Sequence, residues 1–353
     1  MRDVAARHGV RCGDVQTSEF GYALPEAAIA QSAIEPRDAS RLLVAQTLED
    51  RRFTDLPTLL RPGDLLVVNR TRVRAARIHG VKADSGGRVE LLLTKRIDAD
   101  RWEALVKPAR RVRPGTQLRF GPLRGEVLAG PDRGVVTIKL TGDIEVEEAL
   151  HDIGDVPLPP YFHGSLPNPD RYQTMFAKEI GSAAAPTAAL HFTPGLVKSL
   201  EATGIETTEV ELEVGLDTFR PMAEGDLEDH VMHSERFVVP EEAAAAVDAT
   251  RRHGGRVVAV GTTVVRTLES VASPSGQVEA KSGDTRLFIR PGHEFAVVDA
   301  LITNFHAPRT SLLVLIAAAM GERWRHAYTH ALEHGYRFLS FGDAMLIEEV
   351  RRR

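Results

Sequence analysis

An α/β body carrying an inserted all-β, barrel-like domain is the fold class this sequence predicts, on three observations. Residues 64–141 break into short apolar runs about ten residues apart, punctuated by Gly, Pro and Asp, with no helix pattern between them. On either side, strand-like and helix-like segments are mixed, each with recognisable ends. At 353 residues the chain also exceeds one ordinary core, so two domains are the natural division.

Taken in order, residues 1–19 are polar, lack the apolar stretch of a secretory signal, and read as a flexible N-terminal extension. Residues 20–64 and 151–353 then form the α/β body, and 65–150 the inserted β-domain with a basic face. Its candidate strands are Leu65–Asn69, Val73–Val81, Arg88–Lys95, Trp102–Lys107, Thr116–Phe120, Gly125–Ala129 and Val135–Leu140. Alternation is imperfect, the apolar positions of Arg88–Lys95 thickening toward the middle. In the body, Thr193 followed by Pro194 and closed by Gly204 carries the cap, first-turn proline and terminal glycine of a helix. Glu209–Val214 alternates strictly and predicts a strand with its valines and leucine inward. Arg256–Val260 is a buried strand feeding Gly261-Thr262-Thr263, which opens a helix to about Val271. Arg309-Thr310-Ser311 opens another, ending near Gly321. The longest apolar run, Leu312 to Met320, is far too short for a bilayer and reads as a buried helix.

A 43% hydrophobic and 26% charged composition is that of a soluble globular chain. The single cysteine, Cys12, excludes an internal disulfide framework and a cysteine-rich zinc site, suits a reducing cytoplasm, and lies in the polar extension. Net charge is −5, yet residues 70–125 hold fifteen Lys/Arg against five Asp/Glu, leaving −15 for the remainder. Such segregation fits either one face built for phosphates or a well-solvated β-domain.

Several constellations point to chemistry. Gly261, Thr262 and Thr263 follow a strand and start a helix, where free N–H groups suit a carboxylate or phosphate. Arg266, one turn in, offers either a fork for a carboxylate or an ion pair with Glu269. His191 precedes the Thr193 cap, a loop position over a helix N-terminus where function collects, and also a place for a structural histidine. Phe192 beside it suits stacking on a purine, opposing a cation, or the core. His230 and His233, three apart among Glu228, Asp229 and Glu235, imitate a metal site without a clear third ligand. A polar loop at a substrate pocket is the preferred reading there, with no metal. Asn304, His306 and Asp343 are placed to contact a ligand or to satisfy buried backbone.

Four segments follow one another in a fixed order: Ser182-Ala-Ala-Ala-Pro-Thr-Ala-Ala-Leu-His-Phe-Thr193, Gly261-Thr-Thr-Val-Val-Arg-Thr-Leu-Glu269, Leu301-Ile-Thr-Asn-Phe-His-Ala-Pro308 and Tyr336-Arg-Phe-Leu-Ser-Phe-Gly-Asp-Ala-Met-Leu346. Asp170-Arg-Tyr-Gln-Thr174 precedes them. Together they resemble the S-adenosylmethionine:tRNA ribosyltransferase-isomerase family of queuosine biosynthesis, from about Phe20 to Leu346.

The resemblance implies transfer and rearrangement of the ribosyl part of S-adenosylmethionine onto 7-aminomethyl-7-deazaguanine in tRNA, giving epoxyqueuosine-tRNA, adenine and methionine. It implies S-adenosylmethionine as co-substrate, no metal, no membrane, a cytoplasmic location, and tRNA as partner through the basic 70–125 segment. The oligomeric state stays open, with a monomer favoured. Carried onto this chain, it marks His191, Asp343 and His306 as catalytic candidates. Thr187, Phe192, Gly261, Thr262, Thr263, Arg266 and Asn304 are marked for S-adenosylmethionine. Asn69, Arg70, Arg72, Arg77, Arg110, Tyr172, Gln173, His230 and His233 are marked for tRNA or substrate.

Against the family pattern, Arg70 stands for an Asp, Ala189 for a Gly, Glu213 for a His and Asp217 for a Gly. Ala189 adds a methyl where backbone can approach a ligand, and Glu213 is expected to alter a pocket wall. Two alternatives follow from these departures: an S-adenosylmethionine-consuming transferase or lyase acting on a small molecule, and a catalytically silent tRNA-binding protein.

Overall fold

The computed structural model describes residues 15–163, 166, 168–215 and 220–350, so Cys12 and Asp217 lie outside it. In chain order the strands and helices begin with β1 (Arg41–Val44), β2 (Glu49–Arg52), α1 (Leu56–Leu59), β3 (Leu65–Asn69) and β4 (Thr71–Val73). Next come β5 (Arg77–Lys82), β6 (Arg88–Arg96), β7 (Arg101–Lys107), β8 (Gln117–Phe120), β9 (Leu123–Asp132), β10 (Val135–Gly142) and α2 (Val146–Ile153). They are followed by β11 (Glu179–Ser182), α3 (Pro194–Ala202), β12 (Glu206–Leu212), β13 (Glu235–Val239), α4 (Glu241–Arg252), β14 (Val257–Val260) and α5 (Thr262–Val271). The last are β15 (Lys281–Thr285), β16 (Ala300–Asn304), α6 (Ser311–Met320), α7 (Arg323–Glu333) and β17 (Ala344–Ile347).

The body is built on a nine-stranded sheet, ordered β15-β13-β12-β3-β14-β16-β17-β1-β2. Its middle, β12, β3, β14 and β16, is parallel throughout. Parallel strands covered on both faces read as unbroken apolar runs, and Leu65–Asn69 and Val257–Val260 are buried at every position. Successive residues serve opposite layers. Leu65 and Val67 pack with α4–α7 residues such as Val247, Leu268, Leu313 and Trp324, while Leu66 and Val68 pack with Leu196 and Leu200 of α3.

The second unit is a closed antiparallel barrel, ordered β10-β7-β6-β5-β8-β9. Trp102, Phe120, Ile78, Leu91 and Ile138 fill it, with Val146, Ala149 and Leu150 of α2 in the same cluster. Gly80 is required there, because a Cβ would lie 2.4 Å from the Phe120 ring.

Three expectations are corrected. Leu65–Asn69 belongs to the central sheet and not to the β-domain, because a strand buried on both sides cannot sit in a barrel wall with one face in water. The expected strand Val73–Val81 is broken at Arg74–Ala76: Thr71–Val73 pairs in parallel with Glu179–Ser182, and Arg77–Lys82 enters the barrel. Residues 15–19, expected to belong to a flexible extension, are fastened to the body: Thr17 is 2% exposed and bonds through its N–H to Gly225 and through its hydroxyl to Ala223, and residues 1–14 of that expectation lie outside the described residues.

The predicted helix signals operate as read. The Thr193 hydroxyl accepts from the Leu196 N–H at 3.2 Å, Thr310 caps α6 on Leu313 at 3.4 Å, and Gly204 takes φ +79° beyond α3. No helix among the described residues is long and apolar enough to cross a membrane.

The starts of β3 and β14 are fastened together by Asp64, which is 2% exposed. It accepts from Arg256 Nη2 at 2.6 Å, Arg256 Nε at 3.1 Å and the Arg61 N–H at 2.9 Å. Breaking one side of a buried pair costs about 3–5 kcal/mol, whereas an apolar pair of similar volume is tolerated. Asp64→Ala should therefore lower the unfolding free energy in a urea titration by that amount, and adding Arg256→Met should restore most of it. Equal loss in the single and double variants would refute the account.

Candidate functional site

Strands β14 and β16 end side by side, with Val260 opposite Ile302. Ligands in α/β sheets collect at such carboxyl ends, where loops diverge and leave a crevice. Gly261 turns the chain directly from β14 into α5 at φ +92°, a conformation open to glycine, and its N–H bonds the Ile302 carbonyl at 2.8 Å. The pocket formed here has about 630 Å³ of empty space, open solvent at its mouth included. Gly261, Thr262 and Thr263 form one wall; Thr303, Asn304 and His306 another; Thr187 and Ala188 a third. Tyr161, Val214, Thr310 and Ser340 complete the polar and apolar margin.

A hydrogen-bonded line runs from the pocket into the body. Thr187 Oγ1 donates to Asn304 Oδ1 at 2.9 Å, and Asn304 Nδ2 faces His191 Nε2 at 3.2 Å. Asn304 Nδ2 also lies 3.4 Å from the Asp343 carbonyl. An amide nitrogen only donates, so the bonding pattern makes Nε2 the acceptor and puts the imidazole proton on Nδ1, which meets Ser40 Oγ at 2.7 Å. The ring stacks on Phe53 at 4.9 Å. Burial pushes the His191 pKa down to about 3, with Arg37 and Arg337 adding to the shift, so the ring is neutral. His306 is also held neutral, its pKa pushed down to about 3 by burial. Its Nε2 meets Thr303 Oγ1 at 2.8 Å.

The entrance to α5 has no side-chain cap. Its first N–H groups are directed out of the helix with the positive end of the dipole behind them. Thr263, 9% exposed, lines the pocket with a buried hydroxyl that has no protein partner. Across the pocket, Tyr161 Oη and Ser340 Oγ lie 2.5 Å apart, and burial raises the Tyr161 pKa to about 12. Among the described residues the lining holds no Asp, Glu, Lys or Arg.

The structure therefore brings Thr187, Gly261, Thr262, Thr263, Asn304 and His306 to one pocket, with His191 directly behind it. It sends other candidates elsewhere. Phe192 is 3% exposed and packs edge-on against Phe53 and Phe176 in the core. Arg266 points away from the pocket into a buried pair with Glu235, and its Nε donates to the Leu287 carbonyl. Glu269 is not its partner; that carboxylate accepts the N–H groups of Ala296, Val297 and Val298. Asp343 holds the backbone N–H groups of Arg41 at 3.1 Å and Arg337 at 2.8 Å, so its carboxylate is a staple between chain segments.

The candidates for tRNA divide similarly. Asn69 is fully buried, its amide bonded to both the N–H and carbonyl of Leu212. Gln173 bonds the N–H and carbonyl of Val73 in the same manner. Tyr172 is buried beside Phe341. Arg70 is bound to Glu211 at 2.6 Å, Arg72 to Asp170 at 3.4 Å and Arg77 to Glu90 at 3.6 Å, whereas Arg110 is exposed. His230 lies edge-on to Phe288, away from the pocket lining. His233 is exposed and likewise outside that lining. Nearer to a metal-ligand arrangement are Asp50, His330 and His334, whose donor atoms lie within 4.8 Å of one another; Arg41, 3.2 Å from Asp50, opposes a cation there.

Two sequence departures are also relocated. The Ala189 methyl is fully buried in the core and meets no pocket. Val214 lines the pocket while Glu213 lies against Gly181 and pairs with Arg236 at 3.7 Å. Burial raises the Glu213 pKa above the usual carboxylate value.

Sequence reasoning missed Ser40, Tyr161, Thr303, Thr310 and Ser340. Tyr161 had a local signal in Pro157-Leu-Pro-Pro-Tyr161, a stiff loop ending in an aromatic. Leu339 had none: it takes φ +69°, and such a strained non-glycine residue beside a pocket is visible only in three dimensions.

A family model described as Queuosine biosynthesis protein matches residues 17–347. The chain is 51% identical, over 94% of its length and all of the relative, to S-adenosylmethionine:tRNA ribosyltransferase-isomerase of Symbiobacterium thermophilum. It is 50% identical to the protein of that name from Moorella thermoacetica, again over 94% of this chain and all of the relative. A crystal structure of S-adenosylmethionine tRNA ribosyltransferase from Thermotoga maritima aligns with a TM-score of 0.54 and 38% identity, covering 94% of this chain and all of that one.

The two neutral histidines make the fold acid-sensitive. Their folded pKa values, about 3, lie below the ordinary 6.5, so the unfolded chain binds more protons as pH falls below 6.5. Stability is then complete above about pH 6.5 and is lost on acidification toward pH 3, at about 1.4 kcal/mol per pH unit for each histidine. Between about pH 6 and 4.5, His306→Gln should remove one such contribution from the slope of unfolding free energy against pH. An unchanged slope in the folded variant would show that His306 does not titrate in this manner.

Proposed function

Because the chain belongs to the queuosine biosynthesis protein family, we propose that it transfers and isomerises the ribosyl moiety of S-adenosylmethionine onto 7-aminomethyl-7-deazaguanine in tRNA. The observation that carries a site assignment is the uncapped start of α5 with the partnerless Thr263 hydroxyl in the pocket wall. The N–H groups and hydroxyl supply a dry, preorganised set of donors for the carboxylate of the methionine moiety. Arg266, committed to Glu235, takes no part in this, so the anion is held by the backbone dipole and a hydroxyl.

The same pocket has a consequence for the sulfonium. Its described lining contains no carboxylate, so a bound sulfonium loses water without gaining a counter-charge. Desolvation disfavours the charged form of an acid–base pair. Transfer of a proton from the carbon next to sulfur to a base turns a net cation into a neutral ylide, the protonated base can return that proton to the departing adenine, and a dry neutral pocket favours the change. Ring opening can then expel adenine, attack by the aminomethyl nitrogen joins the tRNA base, and epoxide closure releases methionine.

Asn304 and Thr187 face this chemistry, whereas His191 lies behind Asn304. We assign His191 as a positioning residue: its lone pair fixes the Asn304 amide, and its neutrality keeps that bond in one sense.

The direct test is release of adenine and methionine from S-adenosylmethionine with and without tRNA carrying the acceptor base. Release that depends on this tRNA is expected; release without it would replace the reading with a small-molecule acceptor or lyase. Thr263→Val should raise KM for S-adenosylmethionine roughly 10- to 100-fold, from loss of a hydrogen bond to a charged group. Its melting temperature should be unchanged, since the hydroxyl has no protein partner. A normal KM would remove Thr263 from the carboxylate site.

A further inference from the structure

Within the basic 70–125 segment the barrel carries a row of cations, none of them among the residues singled out from the sequence for tRNA. Arg88 of β6 lies opposite Val81 of β5, Val81 opposite Arg119 of β8, and Arg119 opposite Arg124 of β9. Their chain neighbours Val89, Leu118, Phe120 and Leu123 are buried in the barrel core. Side chains alternate between the two faces of a strand, so the three arginines turn outward together, and all three are exposed. Three spacings between neighbouring strands make the row roughly 14 Å long.

Four other cations of the barrel are neutralised. Arg77 is paired with Glu90, Arg96 with Glu147, Arg101 with Asp98 and Lys139 with Asp100. Among the described residues, Arg88, Arg119 and Arg124 form neither an ion pair nor a side-chain hydrogen bond. Arg119 and Arg124 are opposite each other, and like charges in that relation destabilise a sheet. The nearest carboxylates by register stand outside the row: Glu126, two residues from Arg124, lies across from Gln117, and Glu90, two residues from Arg88, lies across from His79 and pairs with Arg77. The arrangement is unfavourable to the folded chain alone and complementary to a polyanion.

We propose that this outward row is a landing surface for the sugar–phosphate backbone of tRNA, separate from the pocket that takes the reacting base. It rests on the reading of tRNA as the acceptor. Arg77, at the other end of β5, bridges to Asp155 of the body. The row therefore lies roughly 13 Å along the strand from that junction, four residues at strand rise. A surface so placed holds substrate without touching the chemistry. It contributes affinity and salt dependence, and carries no base specificity.

The test compares wild-type protein with the triple variant Arg88→Gln, Arg119→Gln, Arg124→Gln, using unmodified and acceptor-bearing tRNA over a series of salt concentrations. The slope of log affinity against log salt should fall in magnitude by about 2–3, near 0.7–0.9 for each phosphate that is no longer neutralised. KM for tRNA should rise at least tenfold, with kcat at saturating tRNA and KM for S-adenosylmethionine unchanged. The melting temperature should hold or rise, because a repulsion has been removed. Arg119→Gln alone should give about one third of the slope change if the triple variant fails to fold. Arg101→Gln with Lys139→Gln, cations already paired, should change the slope far less.

A folded variant with wild-type slope and affinity would overturn the landing surface while leaving the catalytic reading intact. Wild-type protein that releases adenine but binds no tRNA would overturn both.

Discussion

Burial of β14 and β16 on both faces is the constraint on which the site depends. Strands in that position end in a layer where water cannot satisfy their polar groups, so each such group must find a protein partner or a ligand. Asn304, 3% exposed at the end of β16, answers this with an amide that joins Thr187 on one side and His191 on the other. Thr263, at the start of α5, has no protein partner for its hydroxyl. The contrast between these two residues separates a side chain that ties the pocket walls together from one whose hydroxyl the protein leaves unpaired.

Neutrality follows from the same burial. His191 and His306 are kept uncharged by desolvation, and the described lining holds no charged side chain. The charges that sequence reading assigned to the site are used elsewhere: Asp343 ties backbone, Arg266 joins Glu235, and Arg70 joins Glu211 and Glu209. A chain with abundant cations thus lines its pocket with dipoles, hydroxyls and one amide. Unpaired positive charge is displaced to the barrel wall, where desolvation is slight and a polyanion can reach it.

The departures from the family pattern take on physical meaning in the same way. Ala189 adds its methyl to a closed core, and Glu213, just beyond β12, is half-buried against Gly181 while the next residue, Val214, reaches the pocket. Neither change touches the described lining, which fits a chain half identical to its relatives over nearly its whole length.

Local chemistry determined much of this protein. Caps at Thr193 and Thr310, the glycine turn at Gly261 and the alternation read at Glu209–Val214, whose strand starts three residues earlier and ends at Leu212, are set by residues a few positions apart, and each was legible in the sequence. The ordered motifs likewise identified the family and six of the pocket residues. What the tertiary structure alone decided is direction and partnership: which face His191 turns to Asn304, which carboxylate claims Arg266, that Leu65–Asn69 is a central strand, and that Arg88, Arg119 and Arg124 share one row. These depend on residues far apart in the chain being brought within a few ångströms, where burial and register, and not residue type, choose the partner.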